Sequence, residues 1–324
     1  MAMLMPALVG LAALSALSLY VSPAHAQLSR TYVSAATGSD ANNCDRPTPC
    51  RTFQAAHDKT NDLGEITVLD PGGYGGVAIT KSISIVNDGV GEASILVSGG
   101  VTGITVNAGA AAYVNLRGIT IQGIGFGGGT GLSFNSGFSL VMTNCVIRNH
   151  TRDGIYFSPN VESRLALSNI LVSDNGRWGI LIVPSGSGAV KAALNRVRTV
   201  HNSVDGILVQ GTESRGTINV VVADSIAANN ANAGVTVFSR AGNAPTNVTV
   251  LRSVVANNGS GLFGTGFGLA ADGAFATLRL GTSAVTGNTI AWFVAEGGIV
   301  QSYGDNNIDG NGDDRPGLPT IANK

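Results

Sequence analysis

The sequence predicts an all-β solenoid: one chain wound into stacked coils of three short strands each, closed at its N-terminal end by a short helix. Three observations carry this reading. An apolar stretch, an Asn, and usually a Gly with three or four more apolar residues recur six times, with the Asn at positions 149, 175, 202, 230, 258 and 288, so the steps run from 26 to 30 residues. A self-similar period of that size marks a solenoid, whose units bury their apolar faces only against their neighbours. Composition agrees, since charged residues make up 12%, aromatics 6%, and Gly numbers 45, which suits frequent turns and tight winding. Beyond residue 62 no segment sustains a helical period, and short Val-, Ile- and Thr-rich runs are broken by Gly, Asn and Asp as short strands require.

In chain order, residues 1–26 read as a secretory signal: an apolar run over 3–21, Pro23, and the small-residue pattern Ala24, His25, Ala26 ahead of Gln27. No Lys or Arg precedes Arg30, so either the start lies upstream or the amino terminus alone supplies the usual positive charge. The alternative is an uncleaved membrane anchor, because the run is almost long enough to span a bilayer. The signal reading places the mature chain in the periplasm or outside the cell, with no membrane contact after cleavage. Residues 27–63 form a polar leading segment with a helix over 51–62, where Phe53, Ala56 and Leu63 have helical spacing and Thr52 stands at the N-cap. Cys44 and Cys50 flank a Pro-rich loop in this segment; an oxidising compartment would join them, and the alternative is two free surface thiols. Cys145, inside the strand pattern VMTNCVI, reads as a small buried hydrophobe.

Residues 64–312 form the coil. The segments SLVMTNCVIRN, RLALSNILVSDN, AALNRVRTVHN, NVVVADSIAANN and NVTVLRSVVANN each hold two strands joined at a polar residue, and the third strand follows as GIYF at 154, GILI at 179, GILV at 206 and GVTV at 234. Three strands in about 25 residues fit a single-stranded right-handed parallel β-helix, with neighbours stacked about 4.8 Å apart. The recurrent Asn has a structural reason, because an amide both donates and accepts and so forms a ladder with its copies on adjacent coils. Open ends of such a stack invite association, and the helix is placed to cap one of them. Residues 313–324 read as an irregular tail.

The order Tyr32, Val33, Ser34, Gly38, Ser39, Asp40, Cys44, Pro49, Cys50, Arg51, Thr52, Phe53, Gln54, Ala55, Ala56, then DPGGYGGVAITKSISI, resembles the opening of exported bacterial right-handed parallel β-helix proteins of the pectin-lyase-like superfamily. The resemblance extends from about residue 30 to 312 and implies the fold. For function it implies a mixed inheritance of polysaccharide lyases, glycoside hydrolases, epimerases, tailspikes and adhesins. Lyases of this kind use calcium-binding carboxylates with an Arg or Lys base, and the pectin hydrolases use NTD, DD, GHG and RIK patterns. Here NTD, GHG and RIK are absent and the only DD is Asp313 and Asp314 in the tail.

What remains is a concentration of polar and aromatic groups in three neighbouring coils. Counting back from each strand-opening Gly puts Asp153, Trp178 and Asp205 one above another. Two coils of spacing separate the carboxylates by roughly 10 Å, which suits an inverting mechanism around a sugar held on the indole face. Asp153, Asp205 and His150 are the catalytic candidates; Trp178, Arg148, Arg152, Arg177 and His201 are the ligand-binding candidates, able to take acidic sugars. The bland reading is turn chemistry, since Asp before Gly is common in turns. Asp305, Asn307 and Asp309 match the first half of a calcium loop, but Pro316 stands where a bidentate Glu belongs, so no cofactor is expected beyond weak calcium binding. With a net charge of −1 and no cluster of Lys and Arg, nucleic acid is excluded as a partner. The expected function is an exported scaffold contacting a polysaccharide or envelope glycan. The alternatives are a carbohydrate-active enzyme, lyase before hydrolase, and an adhesin.

Overall fold

The computed structural model describes residues 28–259 and 266–322; the signal reading of residues 1–26 lies outside them. The chain winds into a right-handed parallel β-solenoid with three walls. Ser163–Ser173 shows how one coil is made. It runs straight through residue 168, turns at Asn169 with φ +56°, and continues to Ser173; Asp174, at φ +57°, turns it again toward Ile180–Ile182. Left-handed residues let the chain change direction in one step, and Asn and Asp adopt that conformation with least strain. The first bend recurs at Asn144, Arg196, Asp224, Arg252 and Thr282, and the second at Asn149, His201, Asn229 and Asn257, all with positive φ.

Among the described residues the first two walls form one folded sheet of 18 strands, and the third is a sheet of nine strands from Val77–Ile79 to Ile290–Ala295. Neighbours pair in parallel and in register, as in Leu165 with Ala192 and Ile180 with Ile207. Register follows from alternation: a slip of one residue would turn every inward Leu, Ile and Val to solvent. Leu140, Leu165, Phe134, Phe157 and Ile182 fill the interior, and the rings of Phe134 and Phe157 stack at 4.6 Å. Cys145 belongs to this core as a buried free thiol, and burial pushes its pKa up to about 11.

Two polar columns run through the bends. In the first, the Nδ2 of Asn175, Asn202, Asn230, Asn258 and Asn288 each donates to the Oδ1 of the Asn one coil further on, at 2.9–3.0 Å. Each of those oxygens also accepts the backbone N–H of the Asn below it, as Asn230 Oδ1 does from Asn202 at 3.1 Å. The first rung departs from the sequence reading. His150, not Asn149, stands in the column, because Arg148 pairs with Ser173 and the chain is then in step as Asn149 with Asp174 and His150 with Asn175. The second column is made of serines: Ser225, Ser253 and Ser283 each accept the backbone N–H of the preceding coil at 3.0–3.1 Å and return the hydroxyl to a local carbonyl.

Both ends are closed. The helix spans Phe53–Lys59, shorter than the expected 51–62, because Thr60 already begins the strand Thr60–Val68, and Leu63 is exposed rather than helical. Thr52 caps it, accepting from Ala55 N. Its side chains meet the first strand of the third wall: Gln54 Oε1 accepts from Ala78 N at 2.8 Å and His57 Nε2 from Thr80 N at 3.3 Å. Lys59 holds the carbonyls of Asp40 and Asn42 in the loop closed by the Cys44–Cys50 disulfide. At the other end residues 313–322 are irregular, with one isolated bridge at Thr320, and are hydrogen-bonded to the last coils. Asp314 Oδ1 accepts both Nδ2 and N of Asn311 at 2.8 Å, Ala291 N donates to Asp313 O, and Thr320 bridges Ser302. Among the described residues no helix is long and apolar enough to cross a membrane.

Candidate functional site

The residue before each strand-opening Gly lies at the edge of the third wall, and the backbone there is stacked as expected: Gly154 N donates to Trp178 O and Gly179 N to Asp205 O. Asp153, Trp178 and Asp205 therefore occupy successive rungs. Their side chains do not form the open row that the spacing suggests. Asp153 is 1% and Asp205 3% exposed, while Trp178 is half-buried. Asp205 accepts from Asn232 Nδ2 at 2.6 Å and from Ala233 N at 3.0 Å, and burial pushes its carboxyl up to about 6. Asp153 is also raised by burial, opposed by the Arg177 guanidinium 4.0 Å away. In both, burial makes ionisation harder than in water because little solvent reaches the charge.

The outer face of the third wall beside them carries the surface chemistry. Leu181, Val183 and Leu208 form a small apolar cluster on it, framed by the half-buried Tyr156, Trp178 and Phe238. Cations lie over two of the three rings: the Arg177 guanidinium 4.2 Å from Trp178 and that of Arg240 5.2 Å from Phe238. Tyr156 and Phe238 were missed in the sequence, although alternation carried the signal, since the residue after the first inward Ile of GIYF must face outward.

The other candidates lie elsewhere. The bend at residues 149–150 turns the chain through a corner, so Arg148 remains on the second wall, where Nη2 donates to Gln122 Oε1 at 3.1 Å. Arg152 is exposed. His150 is fully buried, with Nε2 3.3 Å from Ile121 O, and burial lowers its pKa. Its ring is buried in the column, which argues against contact with a solvent-borne substrate. His201 is an exposed bend residue 3.9 Å from Asp174, and the two border a shallow hollow of about 400 Å³. The calcium candidates are engaged separately. Asp305 accepts from Thr282 N and Oγ1 at 2.8 and 2.9 Å, and Asp309 from Gly310 N. Among the described residues no three His, Cys, Asp or Glu side chains converge as a metal site would need.

Residues 102–290, more than half of the chain, match the family described as "right handed beta helix region". A search of curated proteins finds no match. Among solved structures the chain is similar to a pectate lyase, Pel9A, with a TM-score of 0.51 and 18% identity over 84% of this chain and 68% of that one. It is also similar to the A-module of the Azotobacter vinelandii mannuronan C-5 epimerase AlgE4, with a TM-score of 0.47 and 11% identity over 81% and 91% of the two chains. A rhamnogalacturonan lyase gives a TM-score of 0.38 and 12% identity over 81% and 75%. At these identities the likeness is one of fold.

Proposed function

This chain belongs to the right-handed β-helix family, and from that premise we propose that it is an exported scaffold that holds a polysaccharide or envelope glycan along the outer face of its third wall. The observation that carries this is the strip of Tyr156, Trp178 and Phe238 with Arg177 and Arg240 beside the rings. Tyr156 and Trp178 stand on adjacent coils and Phe238 two coils further on, with about 4.8 Å per coil, so the rings offer stacking faces for the C–H surfaces of sugars spread along the strip. The guanidinium groups of Arg177 and Arg240 beside the rings supply donors for hydroxyl or carboxylate oxygens. The fold shared with a pectate lyase supports the same class of partner.

A second reading, a carbohydrate-active enzyme, is favoured by one observation: Asp205, with its carboxyl pushed up to about 6, has the proton affinity of a general acid. Its burial argues against it, because a catalytic acid must reach the reacting oxygen.

The mature protein incubated with acidic and neutral polysaccharides, with binding, reducing ends and unsaturated products followed together, separates the two. Binding without products is expected. Trp178→Ala is expected to weaken binding by about 1–2 kcal/mol, as loss of one stacking platform does; unchanged affinity would remove the strip from consideration.

A further inference from the structure

A different wall carries a second, independently built hollow. At the C-terminal end of the first wall, Thr249, Arg279 and Gln301 stack outward on successive rungs, and Leu251, Gly281 and Tyr303 stack beside them. Together with Asp305 they line a depression of about 880 Å³. Rung 281 adds no side chain to it, and Leu251 and Tyr303 pack close over the glycine. A Cβ there would lie 2.9 Å from Tyr303 Cδ2 and 3.0 Å from Leu251 Cδ2, so the Tyr303 ring leans over the space that the glycine leaves.

The polar groups around this hollow are unevenly engaged. Asp305 is taken up by Thr282, through N at 2.8 Å and Oγ1 at 2.9 Å. Arg279 has one long hydrogen bond, from Nη1 to Asn247 Oδ1 at 3.4 Å. Among the described residues no carboxylate lies within 4.0 Å of its guanidinium, in contrast to Arg252 on the neighbouring coil, which grips Asp224 through two nitrogens at 2.8 and 2.9 Å. The hollow therefore offers one unpaired cationic fork, an amide, a hydroxyl and an aromatic wall.

We propose that this hollow is a binding site for a sugar that carries a carboxylate. The fork of Arg279 matches a carboxylate bidentately, Gln301 and Thr249 supply partners for ring hydroxyls, and Tyr303 with Leu251 covers an apolar ring face. A peptide is a poorer occupant. The site lies on the face of a sheet whose backbone groups are paired with adjacent coils, and it offers no edge for main-chain hydrogen bonds. With an overall charge of −1 the chain exerts no general pull on anions, so selection here is local. The site does not depend on the strip of the third wall.

The test is titration of the full protein with glucuronate and with glucose, followed by ligand-observed NMR. Glucuronate is expected to bind at least about tenfold more tightly than glucose, the difference one charge-assisted pair makes. Arg279→Gln is expected to lose that advantage with an unchanged melting temperature, Arg279→Lys to retain part of it, and Gly281→Ala, whose Cβ would push Tyr303 and Leu251 out of place, to weaken both sugars. Trp178→Ala is expected to leave glucuronate binding intact, so failure of the strip and failure of this site read differently. Equal affinity for the two sugars, an unaltered Arg279→Gln, acetate competing as well as glucuronate, a short acidic peptide binding in place of the sugar, or no detectable binding overturns the proposal.

Discussion

At the scale of single residues, what a side chain does here depends on which way its rung faces more than on its type. Asn230 is amide-bonded on both sides, donating to Asn258 and accepting from Asn202, with a further bond to Thr199 O. Asn230→Ala is expected to destabilise by roughly 1–3 kcal/mol for each buried group left unsatisfied, measured by denaturant unfolding; a change under half that would mean water replaces the rung. Asp205 gives a pH signature. Its folded pKa of about 6 lies above the ordinary 3.8, so the folded state binds the proton more tightly. This contribution to stability is fully present below about pH 4 and is lost as pH rises through 6, by on the order of 1–3 kcal/mol. Asp205→Asn keeps the acceptor for Asn232 and is expected to flatten that slope in unfolding curves at pH 4 and 7. The Asn column was legible because identical residues recur, but its first rung was not. Asn149 looks like a rung in sequence, and only strand register shows that His150 occupies the place. The burial of Asp153 and Asp205 was equally invisible, since it depends on side chains from adjacent coils.

At the scale of elements, the helix Phe53–Lys59 acts through two side-chain acceptors, Gln54 and His57, which take up the outward N–H groups of the first strand in the third wall. Deleting residues 51–62 uncovers that edge and is expected to promote association between chains; light scattering that shows an unchanged monomer would contradict the capping role. The helix itself was readable from Thr52 and the Phe53, Ala56 spacing. Its end was overestimated because Thr60 and Leu63 continue an apolar rhythm that strand pairing with Leu28–Val33 claims instead. The serine column was overlooked for a chemical reason. Ser225, Ser253 and Ser283 accept only one backbone N–H each and return the hydroxyl locally, so no side chain pairs with its copy and nothing in composition flags them.

At the scale of the molecule, each coil touches only the coils on either side, so stability is a sum over neighbours rather than the property of one centre. Hydrogen exchange is expected to be slowest in the middle coils around Ser163–Ser173 and Val190–Val200 and to quicken toward both ends. Uniform protection along the stack would show global cooperativity instead. The walls and their number were legible from period and alternation, whereas the outer hollows were not, because a hollow such as that at Gly281 is made by what three separate coils place side by side. The asparagine column adds a polarity that the walls alone lack. Every Asn-to-Asn bond in it runs the same way, while the second N–H of Asn202, Asn230, Asn258 and Asn288 returns to a carbonyl of the preceding coil, and the series finishes on Asp314, whose oxygen receives without having to pass anything on. Such a queue admits new members but tolerates no reversal: an extra coil bearing Asn could be spliced in ahead of Asp314 and find its donor and acceptor waiting, whereas a single coil with its amide flipped would set like against like on both sides.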